Sequence, residues 1–270
     1  MIFTKTATHN SWVIKAMLAT LQDKVAIITG AGQGIGQGIA FALAERGAKV
    51  VAVGRTLSKC QATCKIIEQR FSTDTMAMAC DVANHDDLRR ITLDTVKQFK
   101  TIDILVNNAV ATSIGPLIEQ QDEKVIQAFM VGPVATLRLM QLCYPHLKQQ
   151  GGSIINMAST AAKRWDIANY GVYAAEKDAI RALTRAAASE WGADNIRANN
   201  ILPHANSPAL QKWMEHRPEE AAEFVKGIPL QRVGDCEKDI GQFVALLCSP
   251  ESSYISGQSI AVDGGQAYMN

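Results

Sequence analysis

Several things are scarce or missing in this 270-residue chain, and each absence narrows what it can be. It has no excess of charge: 27 lysines and arginines stand against 26 aspartates and glutamates, a formal net charge of +1. That removes any bulk electrostatic pull towards nucleic acid or an anionic membrane. No uninterrupted apolar run approaches the ~20 residues that span a bilayer. No Pro/Ser-rich linker or charge run divides the chain, so one domain with a large core is expected, in keeping with 47% hydrophobic residues. The six cysteines, at 60, 64, 80, 143, 236 and 248, have no histidine or carboxylate cluster at ligand spacing beside them. They read as reduced, mostly buried thiols, and no metal site is expected. The N-terminal "MIFTKTATHNSWVIKAML" lacks a signal peptide's order, because Lys15 interrupts its apolar patch and no small-residue cleavage site follows. Residues 1–20 are expected to form a flexible extension, 16 of them ahead of a second candidate start at Met17, and residues 21–270 the folded domain.

What is present is an alternation. Short β-branched runs ("KVAIIT", "KVVAVG", "TMAMA", "IDILVN", "GSIINMAS", "IRANNI", "QSIAV") are separated by amphipathic stretches. Helices are expected at 35–46, 56–71, 84–99, 117–142, 170–190 and near 235–248. Strands alternating with helices of ten or more residues predict an α/β fold, a doubly wound parallel sheet with helices on both faces. Segment 204–227 breaks the rhythm: it is polar, carries Trp213 and Met214, and reads as a mobile lid.

"KVAIITGAGQGIGQGIAFAL" is a strand, a glycine turn and a helix, with Gly30, Gly34 and Gly36 at the spacing T-G-x-x-x-G-x-G. Such a turn needs positive φ and a bare backbone so that a pyrophosphate can approach the helix N-terminus. A glycine motif standing alone would be no more than a tight turn; here strand and helix flank it in the required order. At the end of the second strand an acidic residue would bind a ribose 2′-hydroxyl and repel a 2′-phosphate. This sequence has Gly54 there and Arg55 beside it, a guanidinium suited to a phosphate. The plainer reading of Arg55 is an exposed loop residue. The expected cofactor is NADP(H), with NAD(H) second.

"ANYGVYAAEK" places Tyr173 and Lys177 four apart, one turn over each other on one helix face. Tyr170 is separated from the lysine by roughly 10 Å of helix rise. Only Tyr173 can share a small site with that ammonium, although by itself the pair reads as a solvated helix face.

Taken in order, T-G-x-x-x-G-x-G at 29–36, "CDV" at 80–82, "NNA" at 107–109, a serine after the fifth strand, Y-x-x-x-K at 173–177 and "VDGG" at 262–265 resemble the short-chain dehydrogenase/reductase family, over roughly residues 22–266. The resemblance implies a Rossmann-type three-layer α/β/α domain with a seven-stranded sheet, and hydride transfer between a nicotinamide and a carbonyl or alcohol. It implies Tyr173 as general acid/base, Lys177 holding the nicotinamide ribose and lowering the phenol pKa, and Ser159 polarising the substrate oxygen, with Thr160 a lesser candidate. Asp81 would meet the adenine and Asn107 the adenosine ribose region; Ile35, Val82, Asn108, Ala109 and Pro203 complete the expected cofactor contacts. The family's habit implies a homodimer or homotetramer assembled through helices 117–142 and 170–190, in the cytoplasm, acting on a small molecule.

Three departures stand out. Val110 occupies a position where the family usually has glycine. His204 follows Pro203 in place of a glycine, with Ser207 a substitute for a hydroxyl that contacts the nicotinamide amide. An asparagine that maintains a water relay to the lysine reads here as Met130. A second reading follows from them: a catalytically weak dinucleotide-binding relative acting as a sensor or assembly subunit. The substrate is not legible, although Trp165, Trp213 and Met214 suggest an apolar contact surface, and Lys163, Arg164, His204 and Arg217 a place for an anionic group.

Overall fold

Strands form here where both faces are covered. In the computed structural model, which describes residues 20–163 and 168–267, β1 (Val25–Thr29) and β4 (Ile104–Asn107) are buried at every position. β2 (Lys49–Gly54), β5 (Gly152–Met157) and β6 (Ile196–Pro203) are buried along most of their length. The edge strands β3 (Thr75–Ala79) and β7 (Ser259–Val262) are more open. All seven pair in parallel, in the order β3-β2-β1-β4-β5-β6-β7. Continuous β-branched runs suit such a sheet, because successive side chains enter opposite layers. Ala26 and Ile28 of β1 join the core under one helical layer, whereas Val25 and Ile27 join the core under the other.

The first layer contains α1 (Gly34–Glu45), α2 (Leu57–Phe71) and the C-terminal α9 (Gln242–Cys248), with Ile39, Leu43, Ile67 and Ala245 fully buried. The other contains α3 (His85–Phe99), α4 (Asp122–Phe129), α5 (Ala135–Leu147) and α6 (Gly171–Trp191), with Leu88, Ile91, Leu139 and Cys143 in its core. Two short helices, α7 (Pro208–His216) and α8 (Pro218–Lys226), cover the end of the sheet beyond β6. Each begins on a proline, which suits a first helical turn because its missing N–H would have no partner there.

The long helix expected at 117–142 lies instead at Asp122–Leu147, and 117–119 is a separate 3-10 turn. It is interrupted by a π-helical turn, Met130–Val134, that contains Pro133. A proline cannot donate to the helical ladder, and the ladder slips by one residue around it. An 18-residue window of this stretch has a mean hydropathy of 1.4, and the stretch is long and apolar enough by composition to cross a membrane. Arg138 and His146 break its apolar runs, and Leu139, Met140, Cys143 and Leu147 are buried against the sheet. The helix expected near 235–248 is likewise two pieces, a π turn at Cys236–Gly241 followed by α9. The segment expected at 204–227 as a lid holds α7 and α8. The N-terminal extension expected at 1–20 falls almost entirely outside the described residues, as do Arg164 and Trp165.

The cysteines are free, and all but the half-buried Cys236 are buried. Burial pushes the thiols of Cys80, Cys143 and Cys248 up to about 12, which keeps them protonated and unreactive at neutral pH.

Candidate active site

Between β1 and β4 the order of the strands reverses, and a cleft opens beyond their carboxyl ends. Its volume is about 480 Å³. The glycine loop forms one wall. Gly30 and Gly34 have φ of +68° and +58°, a backbone region that disfavours side chains. Gly36 is required for a different reason: a Cβ there would lie 2.4 Å from both the Gly30 carbonyl oxygen and Asn108 Nδ2. Thr29 Oγ1 fixes the two strand ends to each other, accepting from the backbone N–H groups of Asn108 at 2.9 Å and Ala109 at 3.0 Å. Asn108 Nδ2 donates to the Thr29 carbonyl at 2.9 Å.

Helix α1 starts at this loop with no side-chain cap and no acidic residue in its first turn. Its free N–H groups and positive dipole end therefore have no anionic partner of their own. Ile35 also lines the cleft, as do Asp81 and the 7%-exposed Val82 on the side towards β3. At the end of β2, Gly54 leaves room and Arg55 stands exposed on the rim. One turn further along α2, Lys59 adds a second cation that the sequence reading missed; its Nζ donates to Gln33 Oε1 at 2.6 Å. An uncapped helix N-terminus behind bare glycines fits the pyrophosphate of a dinucleotide, and the β2 end carries two cations and no acid among the described residues.

Asn107 does not face this cleft, which corrects its expected place beside the adenosine ribose. It is 7% exposed, and its Nδ2 donates to Asn156 Oδ1 at 2.8 Å. Asn156 in turn donates to Thr184 Oγ1 at 2.8 Å, and Thr184 meets Asn200 Oδ1 at 2.8 Å. Buried amides must find partners; this chain of them joins β4, β5, β6 and α6 beneath the site.

Tyr173 closes the other end of the cleft, beside Asn108, Ala109 and Val110. The Lys177 ammonium lies behind it, 5.6 Å from the centroid of its ring, 3% exposed as a residue and donating to the Met157 carbonyl at 3.0 Å. Ser159 follows β5, and its Oγ accepts from Ala161 N at 3.2 Å. Tyr170 packs edge-on against Tyr173 at 5.9 Å between centroids. Burial raises the Tyr173 pKa above its usual 10; a hydrogen bond with Ser159 pulls it back, and the charges of Glu176 and Tyr170 push it further up. In the chain alone the phenol is therefore stabilised as phenol, the reverse of the lowering expected from Lys177. Burial also depresses the Lys177 pKa, opposed by Glu176. Met130 opens the π turn and is half-buried; the polar side chain beside Lys177 is Glu176, whose Oε1 is 3.8 Å from Nζ.

Pro203 ends β6 outside the cleft walls, and His204 behind it donates its backbone N–H to Val262 at 3.0 Å. The imidazole packs edge-on against Phe224 of α8 at 5.1 Å, and Phe224 meets Trp213 of α7 at 5.6 Å. Burial lowers the His204 pKa, and neither ring nitrogen has a hydrogen-bond partner among the described residues. Ser207 lines the cleft and caps α7 through Leu210 N at 3.3 Å. Val110 is 47% exposed on the cleft rim, so the side chain that replaces the usual glycine projects into open space. Lys163 is exposed, and Arg217 is exposed and paired with Glu220 at 3.0 Å.

Residues 30–267 match the family model described as enoyl-(acyl carrier protein) reductase. A 12α-hydroxysteroid dehydrogenase of a Clostridium species is 37% identical over 255 residues, spanning 92% of this chain and 98% of that protein. The solved structure of a 7α-hydroxysteroid dehydrogenase complexed with NADH and 7-oxo glycochenodeoxycholic acid superimposes with a TM-score of 0.87 at 32% identity, covering 94% of this chain and 99% of that one. A short-chain dehydrogenase/reductase of Serratia marcescens gives a TM-score of 0.86 at 29% identity, over 92% and 100% of the two chains.

Proposed function

The chain belongs to the short-chain dehydrogenase/reductase family of nicotinamide-dependent oxidoreductases, and from that premise we propose that it interconverts a ketone and an alcohol with NADPH preferred over NADH. The observation that carries the reading is Tyr173 on the wall of the dinucleotide cleft, with Ser159 near enough to lower its pKa and Lys177 buried one turn behind.

The bound nicotinamide supplies or accepts the hydride. The chain's own residues manage the charge that this creates on oxygen. Ser159 donates to the substrate oxygen as it becomes alkoxide-like, and Tyr173 gives that oxygen its proton. Lys177 keeps a positive charge near the phenolate so formed. A phenol held protonated by burial suits the reductive direction at neutral pH, and the Lys177 ammonium behind it would favour the phenolate that the reverse direction needs. Arg55 and Lys59 support the NADPH preference, because both are cations lining the cleft near Gly54, the position where an acid would select NADH.

The substrate class is a bulky alicyclic alcohol or ketone, of which hydroxysteroids are the first to test. The support is the likeness to two hydroxysteroid dehydrogenases, together with the aromatic group Trp213, Phe224 and His204 under α7 and α8. Those two helices serve as the lid, residues 21–270 as one catalytic domain, and a homodimer or homotetramer as the working form. The test is NADPH protection against thermal unfolding combined with a panel of oxo- and hydroxysteroids and simple ketones. Turnover of at least one ketone, with NADPH favoured, is the expected result. Protection without turnover of any of them would replace the reading with that of a dinucleotide-binding sensor.

A further inference from the structure

Glu176 is a carboxyl group in a place where carboxyl groups are seldom found. It is 0% exposed, and neither of its oxygens has a hydrogen-bond partner among the described residues. An isolated carboxylate so placed is strongly disfavoured. What it does have is Lys177, whose Nζ is 3.8 Å from Oε1, on the helix where Tyr173 lies three residues back. Across from it is Gly132 of the π turn, where a Cβ would come within 3.4 Å of Oε2. That glycine faces the carboxyl group directly, its bare backbone forming the opposite wall.

Among the described residues, the neighbouring elements bring no competing charge. The π turn Met130–Val134 and the turn Thr160–Ala162 contain no titratable residue. The charged residues of α4, Asp122, Glu123 and Lys124, are exposed. Arg197 of β6 is bound to Ser153, at the end of β5 opposite Met157. Among the described residues, the titratable groups that face Glu176 are thus Lys177 and Tyr173.

We propose that Glu176 is a positioning residue of the reaction: its buried carboxylate holds Lys177 as an ammonium behind the Tyr173 phenol and keeps that pair in the proton-donating state as the pH rises. The inference rests on the acid/base reading of Tyr173 given above. A negative charge beside the pair opposes loss of a proton from either member. Burial raises the Glu176 pKa to about 7, with Lys177 pulling the other way, so the effect switches on above neutrality.

The test compares wild type with Glu176→Gln between pH 6 and 9. One measurement is kcat/KM for ketone reduction; the other is the Kd of NADPH from its fluorescence, which needs no turnover. The ratio of variant to wild-type kcat/KM should fall by about threefold or more across that range, equivalent to about half a pH unit in the alkaline limb. NADPH affinity should fall in the same sense as Lys177 loses its proton earlier. Parallel pH profiles in both measurements, or a loss equal at pH 6 and pH 9, would overturn the proposal and leave Glu176 a packing residue. If Glu176→Gln does not fold, Glu176→Met carries the same comparison. Should no ketone be turned over while the Kd profiles diverge above pH 7, the positioning role stands and the reductase reading falls.

Discussion

Lys177 reaches past Tyr173 to the Met157 carbonyl, its Nζ 3.0 Å from that oxygen and 5.6 Å from the centroid of the tyrosine ring. The ammonium is thereby fixed to β5, and the phenol faces the cleft in front of it. Replacing Tyr173 by Phe removes the proton donor and leaves the packing. Turnover should fall by at least ~100-fold, the usual scale of acid/base loss, with NADPH affinity nearly intact. Tyr170→Phe should be mild, because that ring only packs against its neighbour. Substrate-saturated rates of the two variants decide the assignment, and a reversed order would reject it.

Arg55 and Lys59 should act together on cofactor choice. Hydrogen bonds to a charged group contribute about 1.5–3 kcal/mol, so Arg55→Asp should reduce the NADPH-to-NADH ratio of kcat/KM by about ten- to a hundredfold. Lys59→Ala should reduce it less, since its ammonium is shared with Gln33. Equal efficiency with both cofactors in the wild-type protein would remove the basis for this prediction before any variant was made.

Gly36→Ala tests the loop. The added methyl would lie 2.4 Å from a backbone oxygen, which cannot step aside as a flexible side chain would. Overpacking of this kind costs about 1–3 kcal/mol. The variant should melt several degrees lower and lose most of its stabilisation by NADPH in a thermal shift assay.

His204 should make the protein sensitive to acid. Its pKa is lowered by burial, so the unfolded chain takes up the proton first. The stability that the neutral ring contributes is full above the ordinary histidine pKa of about 6.5 and is lost as the pH falls through the depressed value. His204→Phe keeps the aromatic contact and removes the titration. The drop in Tm between pH 7 and pH 5 should be smaller in the variant; an equal drop would place the acid sensitivity elsewhere.

The alternation of strands and helices, the glycine loop and the Tyr173–Lys177 pair are readable in the sequence because each depends on local spacing. The π turn at Met130–Val134 is not, since Pro133 reads as a kink without saying how the ladder closes around it. Asn107 and Asn108 are adjacent and chemically alike; only the pleat of β4 sends one to Asn156 and the other to the cleft. Glu176 reads as an ordinary polar residue in a helix, and its burial comes from elements distant in sequence, among them the π turn that carries Gly132. Lys59 reads as a surface lysine until α2 turns it towards Gln33.

The glycine contacts behind α1 bear on how the molecule comes to be made. A Cβ on Gly38 would lie 2.3 Å from the Cys236 carbonyl, and one on Gly241 would lie 2.5 Å from the Gly38 oxygen. Arg70 and Glu237, 167 residues apart, are hydrogen-bonded across the same seam. The helix that presents the phosphate loop is therefore covered by chain that leaves the ribosome roughly 200 residues later, a long-range closure of the kind that slows folding and exposes apolar surface meanwhile. Until residues 236–248 have been synthesised, α1 can pack on β1, β2 and α2, but its other face lacks its cover. A nascent chain halted before Cys236 should leave its first helix open to proteases and chaperones, and the capacity to bind a dinucleotide should arise only at the end of translation.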